Sequence, residues 1–222
     1  MNADTPALQS ESAILATNKV LKNTYLLLSA TLIFSAITAA TSMYLQLPYF
    51  GMLITLGGYF GLLFLTTKFR NSSLGLVFIF ALTGFMGLTL GPILNFYLSA
   101  YANGGELIMT ALGGTGIIFL GLSGYALTTR KDFSFMGGFL MVGILVAFLA
   151  GIASIFLAMP ALSLAVSAMF ILLMSGLILY QTSEIIHGGE TNYILATISL
   201  YISIYNLFLS LLQILGIFGG ND

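Results

Sequence analysis

Residues 180–216 read YQTSEIIHGGETNYILATISLYISIYNLFLSLLQILG, and the second half of this stretch decides the fold. From Tyr193 on it is apolar enough to span a bilayer, yet it carries Asn192, Ser199, Ser203, Asn206, Ser210 and Gln213. These positions repeat every three or four residues, with Ala196 filling the one gap, so on a helix they form one stripe down a single face. Hydrocarbon offers no hydrogen-bond partner, and a polar stripe facing lipid is penalised at every step. The helix therefore belongs inside a bundle, its stripe against other helices or lining a wet cavity. Just before it, the turn HGGET at 187–191 holds the chain's only histidine, His187, flanked by Glu184 and Glu190.

Composition agrees with a membrane location. Of 222 residues, 59% are hydrophobic and 6% charged, and the mean hydropathy is +1.06. No soluble globular domain has this balance; the chain reads as a polytopic membrane protein. A net charge of -1 gives no nucleic-acid signature. With no cysteine, disulfides, thiolate metal sites and cysteine nucleophiles are excluded. With no tryptophan either, the interfacial belt rests on the 11 tyrosines.

Outward from the opening stretch, apolar runs of about 20 residues follow one another. They predict spans near Tyr25–Tyr44, Tyr49–Thr67, Leu74–Leu94, Leu107–Leu127, Phe135–Leu157, Leu162–Tyr180 and Tyr193–Leu215. Residues 1–18 are polar, lack the basic start of a secretory signal, and read as a flexible tail before a single transmembrane domain at 19–222. Seven spans put Lys19 and Lys22, Lys68 and Arg70, and Arg130 and Lys131 on one side, with no basic residue on the other. The positive-inside rule makes that side cytoplasmic, with Lys68, Arg70, Arg130 and Lys131 as its anchors. The N-terminus and the HGGET turn are then cytoplasmic and the C-terminus lies outside, in the periplasm.

Gly57 with Gly61, Gly87 with Gly91, and Gly143, Ala147 and Gly151 present small faces at four-residue spacing, which let helix backbones approach closely in a membrane. Pro48 and Pro160 are expected in short outer loops. Pro92 lies inside the third helix, where it removes a backbone donor and crowds the carbonyl four residues earlier. Gly91 and Pro92 should therefore kink or interrupt that helix.

His187, Glu184 and Glu190 form the only titratable cluster. It reads either as a pH-sensing gate or as a solvated turn in which Gly188-Gly189 ends one helix and Glu190 to Asn192 start the next. A metal site fits poorly, because Gly-Gly breaks the helix that would align ligands. No nucleophile motif and no second histidine accompany it, so the chain does not read as an enzyme, and no cofactor or metal is expected. No ionisable group sits near the middle of any span, whereas ion-coupled transport usually keeps one there. Gln181, Ser199, Ser203, Asn206 and Gln213 remain, either as glue between helices or as weak ligands for a passing ion.

Several segments carry a family resemblance: KVLKNTY at 19–25, FSAITA at 34–39, LTLGPILNFYLSA at 88–100, LTTRKDFSF at 127–135, FLAMPALSLAVSAMFIL at 156–172 and IIHGGETNYILATISLYISIYNLFLSLLQILG at 185–216. Over nearly its whole length the chain resembles the Bax inhibitor-1 family, most closely its bacterial YccA branch. The resemblance implies an all-α fold with six transmembrane helices around a central seventh. In calcium-leak members of the family, an aspartate near the end of helix six and another in helix seven share a proton and close the pore. The matching positions here are Gln181 and Ser203, neither of which ionises. The basic residues that accompany that pair match Lys68 or Arg70, which lose the role without an acidic partner. For the YccA branch the resemblance implies an inner-membrane protein, surrounded by lipid, that is both substrate and modulator of the membrane AAA protease FtsH. The competing expectation is a calcium or proton leak channel, or a small-solute transporter, with its path along helix seven past Gln181, Ser203, Asn206, Glu184 and His187.

Overall fold

A computed structural model describes residues 5–219, with side-chain surroundings from Leu15 to Gly219. Seven α-helices follow one another: α1 (Thr5–Tyr44), α2 (Met52–Lys68), α3 (Ser73–Ala100), α4 (Gly104–Thr129), α5 (Gly137–Leu157), α6 (Pro160–Ile186) and α7 (Tyr193–Gly219). A short 3₁₀ turn, Ser134–Met136, leads into α5. Six helices have the length and apolarity to cross a membrane. The 17 residues of α2 rise about 26 Å, close to the ~30 Å of hydrocarbon to be spanned. The helices overrun the apolar runs at several ends, because apolarity marks only the hydrocarbon portion while the backbone continues into the headgroup layer.

Two boundaries differ from the expectation. Within residues 1–18, read as a flexible tail, helix α1 is already under way at Thr5. Pro6 sits in its first turn, where a missing N–H costs nothing, and Ala7, Leu8, Gln9, Glu11 and Ala13 favour helix. Residues 1–4 lie outside the described residues. Pro160, expected in a loop, is the first residue of α6, a position that suits proline for the same reason.

Helix α3 is also continuous through Gly91 and Pro92, without the expected interruption. Pro92 deprives the Leu88 carbonyl of its helical donor. The Ser42 hydroxyl of α1 replaces it, donating to that carbonyl at 2.8 Å. The approach is possible because Gly91 has no Cβ; one built there would run into the Ser42 side chain. One turn on, Asn95 donates to the Met43 carbonyl at 3.1 Å, near the end of α1. A two-residue sequence defect is thus repaired by the neighbouring helix.

Packing divides the helices into an inner and an outer set. Helix α7 packs on α1, α3, α4 and α6, while α2 packs on α3 and α5 on α6. In the spans, 61% of α7 is buried against 11% of α5. Phe139, Met141, Leu149 and Phe156 of α5 are exposed and apolar, as lipid-facing side chains must be. Each of the three apolar clusters includes residues of α7: Tyr201 and Ile204 with Ile79 and Leu82, Phe208 and Leu212 with Ile108 and Ala111, and Leu207 with Leu173 and Ile178.

The small faces at Gly87 and Gly91 and at Gly143, Ala147 and Gly151 are used as expected. The first pair admits α1, with Ser35 and Ser42 lying where a Cβ would be, and the second set takes Leu173 and Val166 of α6. Gly57 and Gly61 depart from the reading: nothing lies within 4 Å of either, and Gly58 instead receives the Phe85 ring.

Candidate functional site

The stripe on α7 is enclosed. Ser203 and Ser210 are buried, and Ser199, Asn206 and Gln213 are half-buried. Its anchors are on α6. The Ser203 hydroxyl donates to Gln181 Oε1 at 3.1 Å, with the Ser199 carbonyl a second acceptor at 3.0 Å. Ten residues on, Gln213 is held at both ends of its amide. Its Nε2 donates to the Ser163 hydroxyl at 2.5 Å, and the Ser167 hydroxyl donates to its Oε1 at 2.7 Å. Asn206, between them, donates to the Ile202 carbonyl of its own helix at 2.9 Å. Ser203 and Gln213 thus join α7 to α6 through neutral amides and hydroxyls.

A second set of bonds ties the same helix to α1 and α3. The Tyr201 hydroxyl is 2.6 Å from the Ser35 hydroxyl and donates to the Thr83 carbonyl at 3.3 Å. Tyr205 donates to the Met86 carbonyl at 3.3 Å, and Thr197 lies 3.2 Å from the Thr24 carbonyl. At the far end Asn103 donates to the Gly219 carbonyl at 2.6 Å.

The HGGET turn shares one end of the bundle with two basic loops. Asn192 caps α7, accepting from the backbone N–H groups of Ile194 and Leu195 at 3.0 and 3.1 Å. Its amide donates to the Arg70 carbonyl at 3.1 Å. His187 ends α6, and Gly188 takes the left-handed conformation (φ 77°) that such a cap requires. The imidazole bridges to α4: Nδ1 lies 2.9 Å from the Ser183 carbonyl and Nε2 3.1 Å from the Arg130 carbonyl.

The acids around His187 each have a neighbour of their own. The Glu184 carboxylate lies against Gly189, and Glu190 accepts from the Asn192 N–H at 2.7 Å. In the α4–α5 loop, the Ser134 backbone N–H, then the Ser134 hydroxyl, holds the Asp132 carboxyl below the usual carboxylate range. Among the described residues no group of three or more His, Asp or Glu side chains could hold a metal ion. Of the basic residues, Lys68 reaches back over Phe64 and Phe69, its Nζ 6.0 and 5.8 Å from the ring centres, as a long cation at a membrane edge does.

A family model described as "Inhibitor of apoptosis-promoting Bax1" matches residues 17–220. The chain belongs to the Bax inhibitor-1 family. It is similar to the Modulator of FtsH protease YccA of Escherichia coli (strain K12), with 59% identity over 205 residues, 92% of this chain and 93% of that relative. A protein of a second Escherichia coli strain, named Inner membrane protein YccA, matches to the same extent. An uncharacterized protein of Pseudomonas aeruginosa is 58% identical over 203 residues, 91% of each chain.

Against the Bax inhibitor-1 pattern, the contact between Gln181 and Ser203 is informative. The two positions that the resemblance sets against the acidic pair of leak-type members touch here, through a neutral bond from Ser203 to Gln181. The reading of the sequence missed Tyr201, the largest fully buried side chain, together with Ser35, Ser42, Ser163 and Ser167. A tyrosine in the middle of an apolar run was the available signal, since tyrosines otherwise gather at the interfaces.

Proposed function

We propose that this chain is a multi-pass protein of the bacterial inner membrane that engages the membrane AAA protease FtsH as a partner and slowly processed client, and that it has no catalytic activity of its own. The observation that carries this reading is its 59% identity over 92% of its length to a relative called a modulator of that protease. In the proposed arrangement α7 is the central helix, with α1, α3, α4 and α6 against it and α2 and α5 as outer flanks. The end bearing all six basic residues faces the cytoplasm, as the positive-inside rule requires, which leaves the C-terminus on the periplasmic side. Residues 1–18 form the segment offered to the protease, and residues 19–222 form one transmembrane domain that resists extraction.

Purification of the tagged chain from detergent-solubilised inner membranes is expected to enrich FtsH over an unrelated seven-helix protein expressed at the same level. Equal recovery of FtsH with both would remove this reading.

The neutral bond between Ser203 and Gln181 also bears on ion leakage. No group there titrates between pH 6 and 8, and a passing cation meets no charge. Liposomes containing the purified chain are expected to admit calcium at the rate of protein-free liposomes, with no change across that range. A flux that rises with acidity would restore the channel reading. The double change Gln181→Asp with Ser203→Asp is expected to introduce pH dependence, because two carboxylates at that distance do not both ionise.

A further inference from the structure

A pocket of about 190 Å³ opens at the basic end of the bundle, between α1 and the ends of α4 and α6. Its lining has two tiers. Thr17, Asn18, Arg130 and His187 are polar, Leu21 and Leu127 are apolar, and Ile186 adds an apolar side chain beside His187. Leu21 lies one turn farther along α1 towards the membrane than Thr17, and Leu127 one turn back along α4 from Arg130. In the proposed orientation the polar tier faces the headgroups and the apolar tier the hydrocarbon.

Arg130 is the fixed charge in the lining, and among the described residues no carboxylate lines the pocket. Asp132, close enough to His187 for their charges to interact, is bonded to the Ser134 N–H at 2.8 Å, and Glu190 to the Asn192 N–H. Both ring nitrogens of His187 are turned to carbonyls, so the imidazole serves as a wall and Arg130 as the charged donor. Arg130 is also conformationally unusual. It closes α4 in the left-handed region at φ 49°, where a side chain with a Cβ is disfavoured and glycine is the ordinary solution. Its carbonyl lies 3.1 Å from His187 Nε2, which ties the cap of α4 to the end of α6.

We propose that this pocket binds the phosphate group of an anionic phospholipid. The Arg130 guanidinium takes the phosphate oxygens, Asn18 and Thr17 flank it, and the glycerol end lies over Leu21 and Leu127. Basic pockets between transmembrane helices at the cytoplasmic face suit such headgroups, and a guanidinium matches two phosphate oxygens at once. The bound lipid fills the gap between α1 and the α4–α6 pair.

The test is thermal unfolding of the full chain in a neutral detergent, with dioleoyl phosphatidylglycerol, dioleoyl phosphatidylcholine or inorganic phosphate added in turn. Phosphatidylglycerol is expected to raise the unfolding midpoint, and the other two to leave it unchanged. Arg130→Gly keeps the left-handed cap without strain, so its midpoint without lipid should match or exceed the parent's. Its half-effective phosphatidylglycerol concentration should nevertheless rise by about fivefold or more. Asn18→Leu, which leaves the cap untouched, should weaken the response in the same direction, whereas Lys68→Gln, at a different loop, should leave it intact. An equal response of the parent and Arg130→Gly overturns the site. A response to phosphatidylcholine equal to that to phosphatidylglycerol overturns the charge-based recognition, and an equal response to inorganic phosphate overturns the lipid as ligand.

Discussion

Gly87→Val is expected to lower the unfolding midpoint in detergent sharply, while Gly57→Ala leaves it unchanged or slightly raised. A Cβ at Gly87 would overlap the Thr38 hydroxyl and the backbone carbonyl of Ser35 in α1. A flexible side chain can turn away from such an overlap, but a backbone carbonyl moves only with its helix. Ser35 is also the residue whose hydroxyl meets Tyr201 at 2.6 Å, and Tyr201 in turn reaches the Thr83 carbonyl. Pushing α1 outward therefore loosens α7 as well, and the cost should reach about 3 kcal/mol, the upper part of the overpacking range. That is a large share of the ~5–15 kcal/mol that stabilises a folded chain. Gly57 has nothing within 4 Å, so alanine there should change stability by no more than about 1 kcal/mol, in the stabilising direction that helix propensity gives. Unfolding midpoints of the two variants, measured side by side, decide the matter. Equal midpoints would mean that α1 and α3 do not approach as closely as described. A loss at Gly57 would mean that its open face meets another protein.

The pair also marks where sequence spacing stops being informative. Four-residue spacing of glycines identified a small face at Gly87 and Gly91 and another at Gly57 and Gly61. It could not tell which face has a helix against it, because that depends on how each helix is rotated about its axis. The seven helices were legible because hydrocarbon thickness fixes the length of apolar run needed. The enclosed stripe on α7 was legible because lipid penalises every polar group it meets. Pro92 was read correctly as a lost donor, but its remedy was not: Ser42 is 50 residues away, and nothing local links it to the Leu88 carbonyl. The same holds for Ser163 and Ser167, which hold Gln213, and for the contact of Gln181 with Ser203, which only the family resemblance brought together. His187 was noticed as a lone histidine among acids, yet it faces two carbonyls, groups that every residue carries and that no sequence pattern singles out. The start of α1 was missed for a different reason. Residues 5–18 carry no apolar stripe, but extending an established helix is cheap once its nucleus exists, and the membrane span of α1 supplies that nucleus.

Removing residues 2–15 is expected to lengthen the protein's lifetime several-fold in cells containing FtsH and to change nothing in cells lacking it. The deleted segment has few large apolar side chains, with Leu8, Ile14 and Leu15 its main ones beyond the initiating methionine. A helix of this length is marginal in water on its own, so a pulling enzyme is expected to unwind it readily. As a helix, residues 5–18 extend about 21 Å; unwound, the same residues reach up to about 50 Å, enough to enter an enzyme anchored in the same bilayer. Beyond Lys19 the resistance rises sharply, because α1 then carries the Ser42 bond to Leu88 and the close contact at Gly87. A client that is easy to grip and hard to extract occupies the protease for long periods, which is the physical content of modulation by competition. The truncated chain keeps Lys19 and Lys22, so its insertion and orientation should be unaffected, and its unfolding midpoint in detergent should equal that of the full chain. Pulse-chase turnover in the two cell backgrounds gives the answer. Identical decay of the full and truncated chains in the presence of FtsH would show that the protease grips this protein elsewhere. A difference that persists without FtsH would assign the tail to another protease.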